Sequence, residues 1–256
     1  MTQDSIMVGL VLFRALTLVV LGCFSSTLGS DDIGRICQDL WNADTNSLIH
    51  GIDFDINIQS TASYANKNDV SNGKLFTRVD ESRLNTRTWR AFKVMMMIMM
   101  LSHLYSFQSS FKFELQKMWL YFYRRKAYRD SSGFEHVFLG ELQTKSDGVT
   151  QVSGFHNWLQ FYLEEKKNNL ANYYGYYNAK LYSEPTSIKL QMSWHKKLKP
   201  ITGFFLGTSP EFELALYTAC FKLKPDKRCQ CSIGGQTIII QTYALGNYVG
   251  TAYPLV

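Results

Sequence analysis

Ser187-Ile188-Lys189-Leu190-Gln191-Met192-Ser193-Trp194 alternates without a break. Ile188, Leu190, Met192 and Trp194 fall on one face and Ser187, Lys189, Gln191 and Ser193 on the other, the period of a half-buried strand. Phe204 to Leu206 predicts a returning strand. Ser209-Pro210 then opens a helix, with a hydroxyl N-cap, proline at the first helical position and apolar residues at helical spacing through Cys220. Glu211 and Glu213 in its first turn would repel a phosphate, so this Gly-Thr-Ser-Pro start reads as structural capping. Beyond it, Gln236 to Leu245, with three consecutive isoleucines, reads as a buried strand. Toward the N-terminus, Phe155 to Lys167 carries Phe155, Trp158, Leu159 and Tyr162 on one side, which predicts an amphipathic helix with His156 in its first turn. Phe111 to Arg125 repeats the helical spacing, and Ser60 to Gly73 is a polar loop. The pattern is α+β: a mainly helical N-terminal region, residues 31–129, then residues 130–256 with two small antiparallel β-sheets and flanking helices.

The chain has 256 residues, 46% hydrophobic and 19% charged, with 5 prolines and 17 glycines, a globular composition that excludes long disorder or a collagen-like rod. A net charge of +6 favours an anionic partner. Residues 1–30 read as a secretory signal peptide. Met7 to Leu21 is mostly apolar and shorter than the ~20 residues that span a bilayer, and a run of small residues follows it. The expectation is a secreted protein without a stable membrane span. Cys23 falls in that leader, so Cys37, Cys220, Cys229 and Cys231 remain, with three possible pairings, of which one would close an unfavourably small ring between Cys229 and Cys231. Val94 to Leu104 is a Met-rich apolar run that reads as a buried helix.

Of five histidines, His136 and His156 lie in short polar-aromatic segments. Neither an HExxH element nor paired CxxC elements occur, so a closed zinc site is not expected, and without Gly-x-Ser-x-Gly neither is a serine hydrolase. Two histidines and a lysine in a basic, aromatic-rich chain suit RNA cleavage. Attack of a 2′-hydroxyl on phosphorus needs a base, an acid for the departing oxygen and a fixed cation for the growing charge.

Gly133-Phe-Glu-His-Val-Phe-Leu-Gly-Glu141, Gly154-Phe-His-Asn-Trp-Leu-Gln-Phe-Tyr-Leu163, Gly207-Thr-Ser-Pro-Glu-Phe-Glu-Leu-Ala-Leu-Tyr-Thr218 and Thr251-Ala-Tyr-Pro254 resemble, in order, motifs of the EndoU, or XendoU, family of poly(U)-specific endoribonucleases. Leu40-Trp-Asn-Ala-Asp-Thr-Asn46 resembles the family's N-terminal segment. The resemblance implies a monomeric endoribonuclease that cuts single-stranded RNA at uridylates, leaves 2′,3′-cyclic phosphate ends and depends on a divalent cation, manganese ahead of calcium. It makes residues 130–256 the catalytic region and places a catalytic trio on His136, His156 and Lys199, with Lys196 and Lys197 as alternatives for the lysine. By the family's analogy with pancreatic ribonuclease, His156 is the base and His136 the acid, and a helix start at His156 would help to keep it neutral. Glu135 and Glu141 match carboxylates linked to activity and to the ion, without fixing its ligands. Thr251 and Tyr253 match uracil-contacting positions.

Three departures stand out. The loop Gln143 to Gln151 is longer than in relatives. Gly203 stands where some carry a serine that helps to select uracil, with Thr202 as a substitute. The Met-rich run replaces a longer charged region. The competing readings are a catalytically weak or inactive RNA-binding protein on the same scaffold, and a binding module using Tyr173-Tyr174-Gly175-Tyr176-Tyr177.

Overall fold

The computed structural model describes residues 30–93, 110–125, 129–167 and 170–256. The leader, Cys23 and the Met-rich run lie outside these residues. The alternating octet is β6 (Ser187–Trp194), the middle of an antiparallel sheet between β5 (Ala171–Lys180) and β7 (Lys197–Phe205). Its second face is buried too, with only Lys189 partly exposed. The reason is the polar loop 60–73, which pairs along β5 (Ala62 N to Tyr176 O, 2.7 Å; Val70 N to Tyr174 O, 3.1 Å) and reaches β6, where Gln191 Nε2 donates to Asn68 O at 3.3 Å. The returning strand is longer than its apolar end suggested. His195 and Lys196 both take positive φ, the two-residue turn that matches the twist of a hairpin, and pairing starts at once with Trp194 opposite Lys197.

The second sheet is a meander of β8 (Arg228–Ile233), β9 (Gln236–Leu245) and β10 (Tyr248–Leu255). Before it runs α4 (Pro210–Leu223), capped by the Ser209 hydroxyl, which accepts from Phe212 N at 3.1 Å. Disulfides Cys37–Cys231 and Cys220–Cys229 tie β8 to α1 (Ser30–Asn42) and to α4. One of the three possible pairings is thereby selected.

The described part of the N-terminal region holds a strand pair beside its helices. Between α1 and a helical segment at residues 87–93 lies a two-stranded ladder, β1 (Phe54–Ile56) with β2 (Phe76–Val79). Strands of three and four residues show no periodicity; this pair is held from outside, because the Glu165 carboxylate accepts from Leu75 N (2.6 Å) and Phe76 N (3.0 Å). The helix begun before Phe113, α2 (Ser110–Trp119), stops at Trp119, whose indole donates to Thr218 Oγ1 at 2.9 Å. The chain then turns out of helix so that Tyr123 pairs with Ser131 (N to O, 2.8 Å) and donates its hydroxyl to Val249 O at 3.0 Å. Likewise α3 (Trp158–Lys166) begins after His156. Asn157 is its N-cap, accepting from Gln160 N at 3.1 Å, and Phe155 has φ +65°, so His156 precedes the helix. A fourth sheet, β3 (Glu141–Thr144) with β4 (Thr150–Ser153), closes the longer loop seen in the sequence. One apolar core runs from Ile33 to Ala252, centred on aromatic rings such as Trp158, Phe54 and Phe76.

Candidate active site

Gly133 to Gly140 does not form an ordinary helix. Glu135–Leu139 is a π-type turn, ended by Gly140 at φ +83°, a widened turn that recurs where a side chain must be re-aimed. It projects His136 to a point where the segment before α3 can bond to it. Phe155 N donates to His136 O at 2.9 Å and His156 N to Val137 O at 2.7 Å. This close approach needs Gly154: a Cβ there would sit 1.9 Å from His136 O, and the residue has φ +65°. The two imidazoles end 6.5 Å apart, centroid to centroid.

Lys199 reaches the same place from β7, where it lies opposite Met192. Of the three candidate lysines only Lys199 is buried; Lys196 and Lys197 are exposed around the turn. His136, His156 and Lys199 line one cavity of about 300 Å³ between β7 and β10, with Lys189, Thr251 and Tyr253. Tyr253 is no core residue. Its ring stacks on His156 at 4.6 Å and 17°. Thr251 Oγ1 is buried without a hydrogen-bond partner.

Each histidine has one nitrogen committed. His156 Nδ1 is 3.1 Å from Gly203 O, and because a carbonyl only accepts, Nδ1 carries the hydrogen and Nε2 keeps its lone pair. Burial, then the charges of Lys199 and His136, hold His156 well below the ordinary 6.5. His156 stands just before the Asn157 cap of α3 and not in its first turn, and desolvation and neighbouring cations disfavour its charged form. His136 Nδ1 is 3.2 Å from Glu141 Oε2. Burial pushes His136 down as well, but the hydrogen bond and charge of Glu141 work against it. Burial also lowers Lys199, to about 8, opposed by Glu141.

Gly203 thus has a role of its own, offering its carbonyl to His156. A Cβ there would meet Pro254 O at 3.1 Å, tighter than most real contacts. The Thr202 hydroxyl donates to Phe155 O at 2.8 Å and lies 3.2 Å from His156 Nδ1, in the lining of the same cavity.

Glu141 anchors the site. Its carboxylate accepts from the Ser131 hydroxyl and from Gln143 Nε2 (3.0 Å), and Arg125 Nε lies 3.8 Å away. Glu135 faces elsewhere, lining a separate cavity of about 430 Å³ with Asp130 and one side of Glu141. Its Oε2 is buried without a partner, and burial, then the charges of Glu141 and Asp130, raise it to about 7. An orphaned carboxylate oxygen among other carboxylates fits the chemistry of a hard divalent cation. It is not a finished cage: among the described residues the only group of three that brings ligand atoms within 4.8 Å is Cys220, Cys229 and Cys231, all in disulfides.

Signals for Arg125, Ser131 and Gln143 were missing from the sequence, and Gly203 was marked there only as a departure and not as a partner of His156, since these contacts form only in the fold. Gly154 carried one, as a glycine two residues before the second histidine.

The family model described as endoribonuclease XendoU matches residues 32–99 and 93–254. The uridylate-specific endoribonuclease B of Danio rerio is 33% identical over 90% of this chain and 97% of its own length. The uridylate-specific endoribonuclease of Bos taurus is 43% identical over 58% of this chain and 37% of its own length. The solved structure of XendoU, a splicing-independent snoRNA-processing endoribonuclease, superposes with a TM-score of 0.69 at 29% identity, covering 88% of this chain and 96% of that one. The chain belongs to the XendoU endoribonuclease family.

Proposed function

We propose that this protein cleaves single-stranded RNA at uridylates by transesterification, leaving a 2′,3′-cyclic phosphate and a 5′-hydroxyl. The observation that carries this reading is the pair of imidazoles, each with Nδ1 held by the protein, on one cavity wall with a buried lysine. His156 Nε2 takes the proton of the 2′-hydroxyl. The freed oxygen attacks the adjacent phosphorus, the bond from phosphorus to the 5′-oxygen breaks, and His136 Nε2 returns a proton to that oxygen. The Lys199 ammonium faces the negative charge that accumulates on the non-bridging oxygens. The partners support this order of roles: Glu141 works against the burial that lowers His136, whereas burial, then the charges of Lys199 and His136, disfavour a proton on His156. Tyr253 and the unpartnered Thr251 hydroxyl supply the ring and the hydrogen bond for uracil.

Glu135 and Asp130 would hold a divalent cation beside Glu141. When bound, it would add positive charge and draw RNA to the site, and the small carboxylate set suits manganese ahead of calcium, which takes six to eight oxygens. The two disulfides and the apolar leader support secretion into an oxidising compartment. Among the described residues no helix is long and apolar enough to cross a membrane. We take the protein to act as a monomer.

The test is cleavage of a short uridine-containing RNA with EDTA, manganese or calcium, by the wild type, His156→Ala and His136→Ala. Cyclic-phosphate ends that disappear in both variants support the reading. Binding without cleavage by folded wild type favours the RNA-binding alternative.

A further inference from the structure

Three of the four tyrosines in the β5 cluster have distinct surroundings. Tyr173 is buried in the core and Tyr176 packs against it, but Tyr177 stacks face to face with Tyr64, the ring centroids 4.3 Å apart and the planes 13° from parallel. Tyr64 is 57% exposed. Core packing does not explain an aromatic ring presented this way on a loop of serines and asparagines.

The loop that presents it is fixed to the sheet. Thr61 bridges Tyr176, Val70 N donates to Tyr174 O, Asn172 Nδ2 donates to Asp69 Oδ2 at 2.8 Å, and Ser71 donates to Tyr173 O. Gly175, at φ +121°, admits it: a Cβ there would meet Ser60 O at 2.8 Å and Val70 at 2.7 Å. Tyr177 is fixed as well, its hydroxyl 2.9 Å from both Gln191 Oε1 and Pro200 O.

The stack adjoins the catalytic cavity. Pro200 follows Lys199 directly, and Lys189, which pairs with Gly203 across β6 and β7, lines the cavity while its ammonium lies over the Tyr64 ring, 5.3 Å from its centre. A flexible cation thus stands between a cavity sized for one nucleotide and an exposed, pre-ordered aromatic surface. That is the sequence of groups a single-stranded nucleic acid needs, a base site, a phosphate contact and a second ring on which to stack.

We propose that Tyr64, backed by Tyr177, is a stacking platform for a second nucleobase of the RNA, outside the cavity, with the Lys189 ammonium leaving the ring to meet the intervening phosphate as the base takes its place. This rests on the ribonuclease reading above. The platform is sequence-tolerant, because every base has a face to stack, so it sets how strongly RNA longer than one nucleotide is held and leaves uridine selection to the cavity.

Two probes that cannot be cut separate the sites: uridine 3′-monophosphate, which fills only the cavity, and a fully 2′-fluoro heptamer of uridine, which lacks the attacking hydroxyl. Affinities are measured with the wild type, Tyr64→Ala and Tyr64→Phe, and cleavage of the matching RNA heptamer is followed in parallel. Tyr64→Ala is expected to weaken heptamer binding about tenfold and leave the monophosphate unchanged, and Tyr64→Phe to keep wild-type affinity. Equal heptamer affinity for wild type and Tyr64→Ala overturns the platform while cleavage of RNA leaves the ribonuclease reading intact. A wild type that binds neither probe and cuts no RNA removes both.

Discussion

At the scale of single residues, Glu141 gives its oxygens to Ser131, Gln143 and His136, so it is a positioning residue that holds one ring and its proton. Both histidines lie below the ordinary 6.5. In the proposed mechanism the profile of kcat/KM against pH is therefore a bell on the acid side of neutrality, its acid limb set by His156 and its alkaline limb by His136. Glu141 raises His136, so Glu141→Gln lowers it further. The alkaline limb should move to lower pH, the acid limb should stay, and kcat/KM at pH 7 should fall on the order of tenfold or more. An alkaline limb that stays in place while activity falls would show Glu141 to be merely structural. The histidines, Thr251 and Tyr253 were legible as residues of short motifs and Lys199 as one of three candidate lysines, whereas the groups that tune them were not. The lowered pKa of His156 shows why: the sequence pointed to a helix start, whereas burial and the nearness of Lys199 push it down, and neither the burial nor that nearness exists before the chain folds.

At the scale of elements, alternation and capping were legible where the element makes its own case, as in β6 and in α4 with its Ser209-Pro210 start. They were silent where another element decides. The β1–β2 ladder depends on Glu165 of α3, and the π-turn at His136 depends on the backbone of Phe155 and His156, so neither has a periodic signature. Gly154 makes this second dependence testable. Gly154→Ala puts a methyl into His136 O and adds strain at positive φ, so the two histidine segments must separate. The expected result is an unfolding free energy, from denaturant titration, lowered by on the order of 2 kcal/mol or more and loss of cleavage. Gly148→Ala is the control: φ is +80° but no atom lies within 4 Å, so it should cost only about 1 kcal/mol and leave kcat/KM as it is. If both variants behave alike, backbone strain and not the contact with His136 accounts for the effect.

At the scale of the molecule, buried carboxyl groups and disulfides join parts that lie far apart in the chain. Cys37–Cys231 spans 194 positions. Glu213 in α4 receives the Thr208 hydroxyl at 2.6 Å and lies 3.4–3.5 Å from the Nδ2 of Asn157, the cap of α3. The sequence showed Glu213 only as a first-turn acid that repels phosphate. Its full burial, which raises it to about 8, is visible only in the fold. The consequence has a definite sign. An unfolded Glu ionises near 4.5 while the folded one keeps its proton to about 8, so the stability it contributes is complete below 4.5 and is lost as pH rises to about 8. Glutamine imitates the protonated acid, one oxygen to accept from Thr208 and an amide to donate, and it does not titrate. Glu213→Gln should therefore be near wild type in unfolding free energy at pH 5 and more stable at pH 8.5, the difference growing by on the order of a few kcal/mol. Subtracting variant from wild type cancels the opposite slope of the lowered histidines, whose stability is lost as pH falls below 6.5. Urea unfolding of both proteins at the two pH values gives the difference directly, and a difference that does not change with pH would mean that Glu213 is ionised in the folded protein.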